Sequence, residues 1–200
     1  MSKRNMVLTA VAAAGLVAGS IAGVAAQSEP SEDVTPEPAA ESTAPSSELA
    51  MLLAPPDVDG VEWAEISVRS GAEIEADTDE REQAEWSALL DGTGATYERA
   101  SQLNAEPMDP ETGEAIGIYS AIRIADADES QLREALLGVL RASDEAETFV
   151  FEEAEIGGKD VTVATLGSDD QQATIYVSGD TAHLLDLPDE QLAAFLASLP

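Results

Sequence analysis

Apolar residues recur along this chain with two periods, and each switch of period marks the boundary of an element. Val61 to Val68 (VEWAEISV) alternates apolar with charged positions, which predicts a half-buried strand with Trp63 on one face. Ser70-Gly71 reads as a turn into a shorter strand near Ala72 to Ile74. The period then lengthens. Trp86, Leu89 and Leu90 stand at helical spacing behind Asp77-Thr78-Asp79, which supplies a cap, and Asp91-Gly92 ends the run. Two more strands are predicted over Thr96 to Leu103 and Ala115 to Ile124, flanking the turn-rich Pro107-Met108-Asp109-Pro110-Glu111-Thr112-Gly113. Asp128 with Gln131 three residues on resembles a capping box, and Leu132, Leu136, Val139 and Leu140 behind it fall on one helical stripe.

The last quarter returns to period two. Phe149 and Phe151 alternate with Val150 and Glu152, the run continues to Ile156, and Val161-Thr162-Val163 resumes after Gly157-Gly158, a hairpin on a two-residue turn. A second hairpin runs from Thr174 to Val177, turns at Gly179-Asp180 and returns through Ala182 to Leu187. Pro188, Asp189 and Glu190 then open a final helix with Leu192, Phe195, Leu196 and Leu199 on one face. The predicted order is ββα-ββα-ββββ-α. Hairpins punctuated by single helices do not build a parallel doubly wound sheet. They suit an α+β domain, a mostly antiparallel sheet with three helices packed on one of its faces.

Ahead of this domain the pattern differs. Lys3 and Arg4 precede an uncharged apolar run from Met6 to about Ala18, and small residues follow to Val24-Ala25-Ala26. That is the order of a secretory signal peptide, with cleavage expected after Ala26. The alternative is a retained N-terminal membrane anchor, which Gly15, Gly19, Ser20 and Gly23 weaken. Residues 27–48 are Ser, Thr, Pro, Glu and Ala with one isolated valine, too little apolar surface to offset the entropy of ordering. They read as a disordered spacer, and residues 49–200, opened by the apolar Leu49 to Ala54 and closed off by Pro55-Pro56, as one acidic domain.

Charge narrows the choice of partner. The chain carries 40 acidic and 9 basic residues, a formal net charge of −31. Because Lys3 and Arg4 precede Ala26 and no acid does, residues beyond it carry 7 basic against 40 acidic groups, close to −33. Such a field repels nucleic-acid phosphates and anionic headgroups, so neither nucleic acid nor an anionic membrane is expected to bind the mature domain. Lysine is almost absent beyond the signal, with Lys159 alone. Both a salty exterior and a high-GC genome produce that bias. Cysteine is absent altogether, which removes disulfides, thiol catalysis and a lipobox anchor.

Catalytic motifs are absent too. His183 is the one histidine, so a chain alone cannot build a His-based triad or a multi-histidine metal site, and in Ala182-His183-Leu184-Leu185 it reads as a strand residue facing solvent or a neighbouring acid. Gly92-Thr93-Gly94 reads as a helix stop rather than a phosphate loop. Lys159 reads as a turn lysine. Glu152-Glu153 and Asp169-Asp170 are close pairs of the kind that 40 acids produce by chance. Calcium is the one cofactor the composition invites. Asp126-Ala127-Asp128-Glu129-Ser130 begins like an EF-hand loop, but Gln131 stands where glycine is needed and Leu137 where the closing glutamate belongs. Looser candidates are Asp169 with Asp170, beside Ser168, and Asp109 with Glu111. Trp63 and Trp86 read as packing residues.

Ile156-Gly157-Gly158-Lys159-Asp160-Val161, Tyr176-Val177-Ser178-Gly179-Asp180 and a last helix ending Leu199-Pro200 resemble uncharacterised exported proteins of high-GC bacteria, as does Ala121-Ile122-Arg123-Ile124 before an acidic helix cap. The likeness implies an architecture for residues 60–200 and no activity. The expectation is therefore a secreted or envelope-exterior, non-enzymatic module that binds a protein or envelope component through a sheet edge or loops. An apolar patch containing a tryptophan would mark such a surface. A calcium-responsive extracellular domain and a carboxylate-dependent enzyme stand as alternatives.

Overall fold

The computed structural model describes residues 53–142, 149–166 and 171–199. Among them are seven strands: Glu62–Ser70 (β1), Ala100–Met108 (β2), Ile118–Ile124 (β3), Phe149–Ile156 (β4), Lys159–Leu166 (β5), Gln171–Ser178 (β6) and Thr181–Asp186 (β7). Four helices accompany them: Gly71–Asp77 (α1), Glu80–Thr93 (α2), Glu129–Ala142 (α3) and Asp189–Ser198 (α4). The strands form one open antiparallel sheet in the order β1-β2-β3-β7-β6-β5-β4. After β3 the chain passes through α3 to the far edge, and the β4 to β7 meander then returns to pair β7 with β3.

The α+β class holds, but the order and the layers differ from expectation. Ala72 to Ile74 lies in helix α1, because Ser70 and Glu73 form a reciprocal capping box that gives a helix its N-terminus. The strand expected from Thr96 begins later, since Tyr97–Arg99 is a 3₁₀ turn. Helix α2 runs past Asp91-Gly92 and stops at Gly94, whose φ of +66° supplies the left-handed cap. Gly92 is a contact glycine. A Cβ there would lie 2.6 Å from the Ala135 Cβ, so its absence lets α2 and α3 pack closely.

Both faces of the sheet are covered, where helices were expected on one. Ile122 and Ile124 of β3 with Ala182 and Leu184 of β7 point to the face that carries Trp86, Leu89, Leu132 and Leu136 from α2 and α3. Their neighbours Tyr119, Ala121 and Leu185 point the other way, under Leu192, Phe195 and Leu196 of α4 and under Leu53 and Val58. A central strand apolar on both sides can only be satisfied by two layers. Each of the largest buried side chains contributes roughly 1.5–3 kcal/mol by leaving water.

Edge strand β1 carries an irregularity that its alternating sequence hides. Ala64 pairs with Glu106 and Ser67 with Asn104, so Glu65 and Ile66 together oppose Ala105, and Glu65 takes a φ of +49°. This bulge shifts the side-chain parity, and Trp63 and Val68 reach the same face although five residues separate them. The hairpin turns fall where expected, with Gly157 and Gly158 at φ +60° and +77° and Gly179 at +58°.

Candidate functional site

The candidate cation ligands that lie among the described residues are engaged in their own turns. Asp169 and Asp170 lie outside the described residues, as does the cleavage position at Ala26. In the β2–β3 loop the Asp109 carboxylate caps its own turn, accepting from the Glu111 N–H at 2.8 Å and the Thr112 N–H at 3.3 Å. Glu111 contributes its backbone there. Asp128 is likewise spent, on the Ser130 hydroxyl first and on the N–H groups of Gln131 and Ser130 at the start of α3, and those bonds hold its carboxyl below the usual range. Among the described residues no three of His, Asp and Glu stand close enough to hold a metal ion.

His183 faces neither solvent nor an acid. It is 8 % exposed, and its Nδ1 lies 3.0 Å from the Tyr119 hydroxyl. Its ring stacks between those of Tyr119 and Tyr176, at centroid distances of 6.0 and 5.9 Å. The row continues on both sides. Trp63 packs against Tyr119 and Phe195, its Nε1 donating to the Pro56 carbonyl, and the Lys159 ammonium lies 5.6 Å over the Tyr176 ring. Burial pushes the His183 pKa down to about 4 and raises that of Tyr119. At neutral pH the pair is therefore an uncharged phenol and an uncharged imidazole.

The opposite face holds a part-buried ion pair. Arg69 of β1 donates to Glu82 of α2 at 2.7 Å, with Gln102 beside it on β2. Two residues on, Asn104 and Ser120 are cross-strand neighbours, and their Nδ2 and Oγ atoms are buried with no hydrogen-bond partner among the described residues. Trp86 is fully buried and Trp63 half-buried. The large apolar side chains that stand exposed among the described residues are Ile66 on β1 and Val150 on β4, one on each edge strand.

One cleft lies between strands. The β5–β6 ladder pairs Thr162 with Ile175 through Leu166 with Gln171, yet β5 begins at Lys159 and β6 ends at Ser178. Beyond Thr162 the strands splay. The gap has a volume of about 330 Å³ and is lined by Gly158–Asp160, by Ile175–Val177 and by Glu129 and Arg133 of α3. Arg133 reaches across β5, its Nη2 donating to Glu153 of β4 and, at 2.9 Å, to Thr162 Oγ1. Glu129 accepts from the Gly179 N–H at 2.8 Å. Sequence reading missed this cleft, because a splay between strands depends on register and leaves no local motif.

No protein family, curated protein or solved structure matches the chain. No helix among the described residues is long and apolar enough to cross a membrane.

Proposed function

We propose that this chain is an exported, non-enzymatic binding module whose β4 edge pairs with an extended, basic segment of a protein partner. The observation that carries the reading is the unbroken register of β4 at the end of the sheet. β4 ends the strand order and pairs with β5 without interruption from Phe149–Leu166 to Ile156–Lys159, whereas the other edge, β1, is kinked by the bulge at Glu65. In a hairpin closed by two residues the flanking pair exchanges both hydrogen bonds, so Ile156 turns inward and residues 151, 153 and 155 turn their N–H and C=O groups outward. An added strand would bond there. Val150, 58 % exposed, offers an apolar contact, and the exposed Glu152 and Glu155 favour a basic segment. The signal-like N-terminus and the spacer fit presentation outside the cell. The charge of the chain argues against nucleic acid and anionic membrane as targets.

The test is NMR with a synthetic strand-forming peptide that alternates valine with arginine. Binding should protect the amides of residues 151, 153 and 155 from exchange, and Val150→Lys should weaken it. An acidic peptide of the same apolar pattern that binds equally well, or protection confined to other strands, would refute the reading.

A further inference from the structure

The cleft between β5 and β6 has a chemistry of its own, different from that of the β4 edge. Its volume, about 330 Å³, sits at the small end of the range of ligand sites. Two of the seven basic residues beyond Ala26, Arg133 and Lys159, line it, together with two acids, Glu129 and Asp160. Among the described residues the hydrogen bonds of Arg133 leave from Nη2, to Glu153 and Thr162, which orients the guanidinium and leaves Nε and Nη1 as donors. Glu129 already accepts from Gly179, so Asp160, which is exposed, is the freer carboxylate.

We propose that this cleft binds a zwitterionic ligand of amino-acid or dipeptide size, its carboxylate on Nε and Nη1 of Arg133 and its ammonium on Asp160. The field of the whole chain supports the assignment. A net anion is repelled by a surface of this charge, and a net cation has no use for the guanidinium of Arg133. A ligand of zero net charge is not repelled, and a guanidinium and a carboxylate lining one cleft select for both its ends. A guanidinium held in one plane also matches the geometry of a carboxylate.

The experiment titrates the full chain with free amino acids and with unblocked dipeptides, followed by ¹⁵N NMR. The controls are the same ligands N-acetylated or C-amidated, so the ligand is altered and the fold is not. The expected result is that unblocked ligands shift the amides of residues 158–160 and 175–177, and that blocking either end weakens binding about tenfold or more. Preference for amino acids over dipeptides, or the reverse, identifies the source of the charged ends. Asp160→Asn should abolish the penalty for N-acetylation and leave that for amidation. Absence of cleft shifts with every unblocked ligand overturns the proposal, and so does equal binding of the amidated and free forms. Arg133→Lys, checked by urea unfolding to be folded, should lose the penalty for amidation; retention of it would also overturn the assignment.

Discussion

Acidification should destabilise this protein through one residue in particular, His183. The His183 imidazole is buried between two tyrosine rings and has a pKa of about 4 in the folded chain, against 6.5 for an unperturbed histidine. Because the folded state resists the proton, the unfolded chain binds more protons between these values. The stability due to the neutral ring is fully present above pH 6.5 and is lost as pH falls toward 4. A difference of about 2.5 units corresponds to about 3 kcal/mol across the whole window, and about 2 kcal/mol of it is lost between pH 7.5 and 5. The chain has one histidine, so no second imidazole titrates in this window. Glu85, whose carboxyl is pushed up by burial, acts in the opposite direction. Comparison with His183→Gln isolates the effect, since the amide oxygen can still accept from the Tyr119 hydroxyl. Urea unfolding at fixed 150 mM NaCl should show a slope between pH 6 and 5 that is about 1 kcal/mol per pH unit steeper in the parent than in the variant. Equal slopes, or an NMR titration of His183 with a midpoint above 6, would refute the reasoning.

Packing gives two more expectations. Gly92→Ala should cost about 1–3 kcal/mol by driving α2 from Ala135, whereas Gly138→Ala, in α3 with open space around its Cβ, should stabilise by about 0.5–1 kcal/mol; urea midpoints of the two variants decide it. Replacing Glu82 by Leu should cost about 3 kcal/mol by leaving Arg69 buried without its carboxylate, and adding Arg69→Met should recover more than half of that in a double-mutant cycle.

The helices of this fold were legible where a stripe and a cap coincide. Leu132, Leu136, Val139 and Leu140 behind Asp128 became α3, and Leu192, Phe195, Leu196 and Leu199 form the buried face and end of α4. The glycine turns were legible because left-handed φ leaves glycine little competition. Helix α1 was written in Ser70 and Glu73, but seven residues are too few for a period to show. At Glu65 the strand pattern misled: VEWAEISV alternates without a break, and only the pairing with β2 reveals the extra residue. The second helical layer was hidden because Tyr119-Ser120-Ala121 and His183 put small or polar groups between the apolar ones. His183 read as a solvent residue because its partners, 64 and 7 residues away, come together only in the folded sheet.

The same double coverage bears on where this protein can bind. A sheet with one bare face offers a broad surface for recognition, but here both faces are closed by helices and by the segment around Leu53 and Val58. Backbone groups can then be offered to a partner only along an edge or where the ladder opens. β1 is kinked at Glu65, which leaves β4 and the splay beyond Thr162–Ile175. Arg133 ties the two together, since its guanidinium joins Glu153 on β4 to Thr162 on β5 while lining the cleft. A strand that pairs with β4 draws on the same glutamate, so occupation of the edge should alter the orientation of Arg133 and with it the affinity of the cleft. By linkage the effect must run equally in both directions.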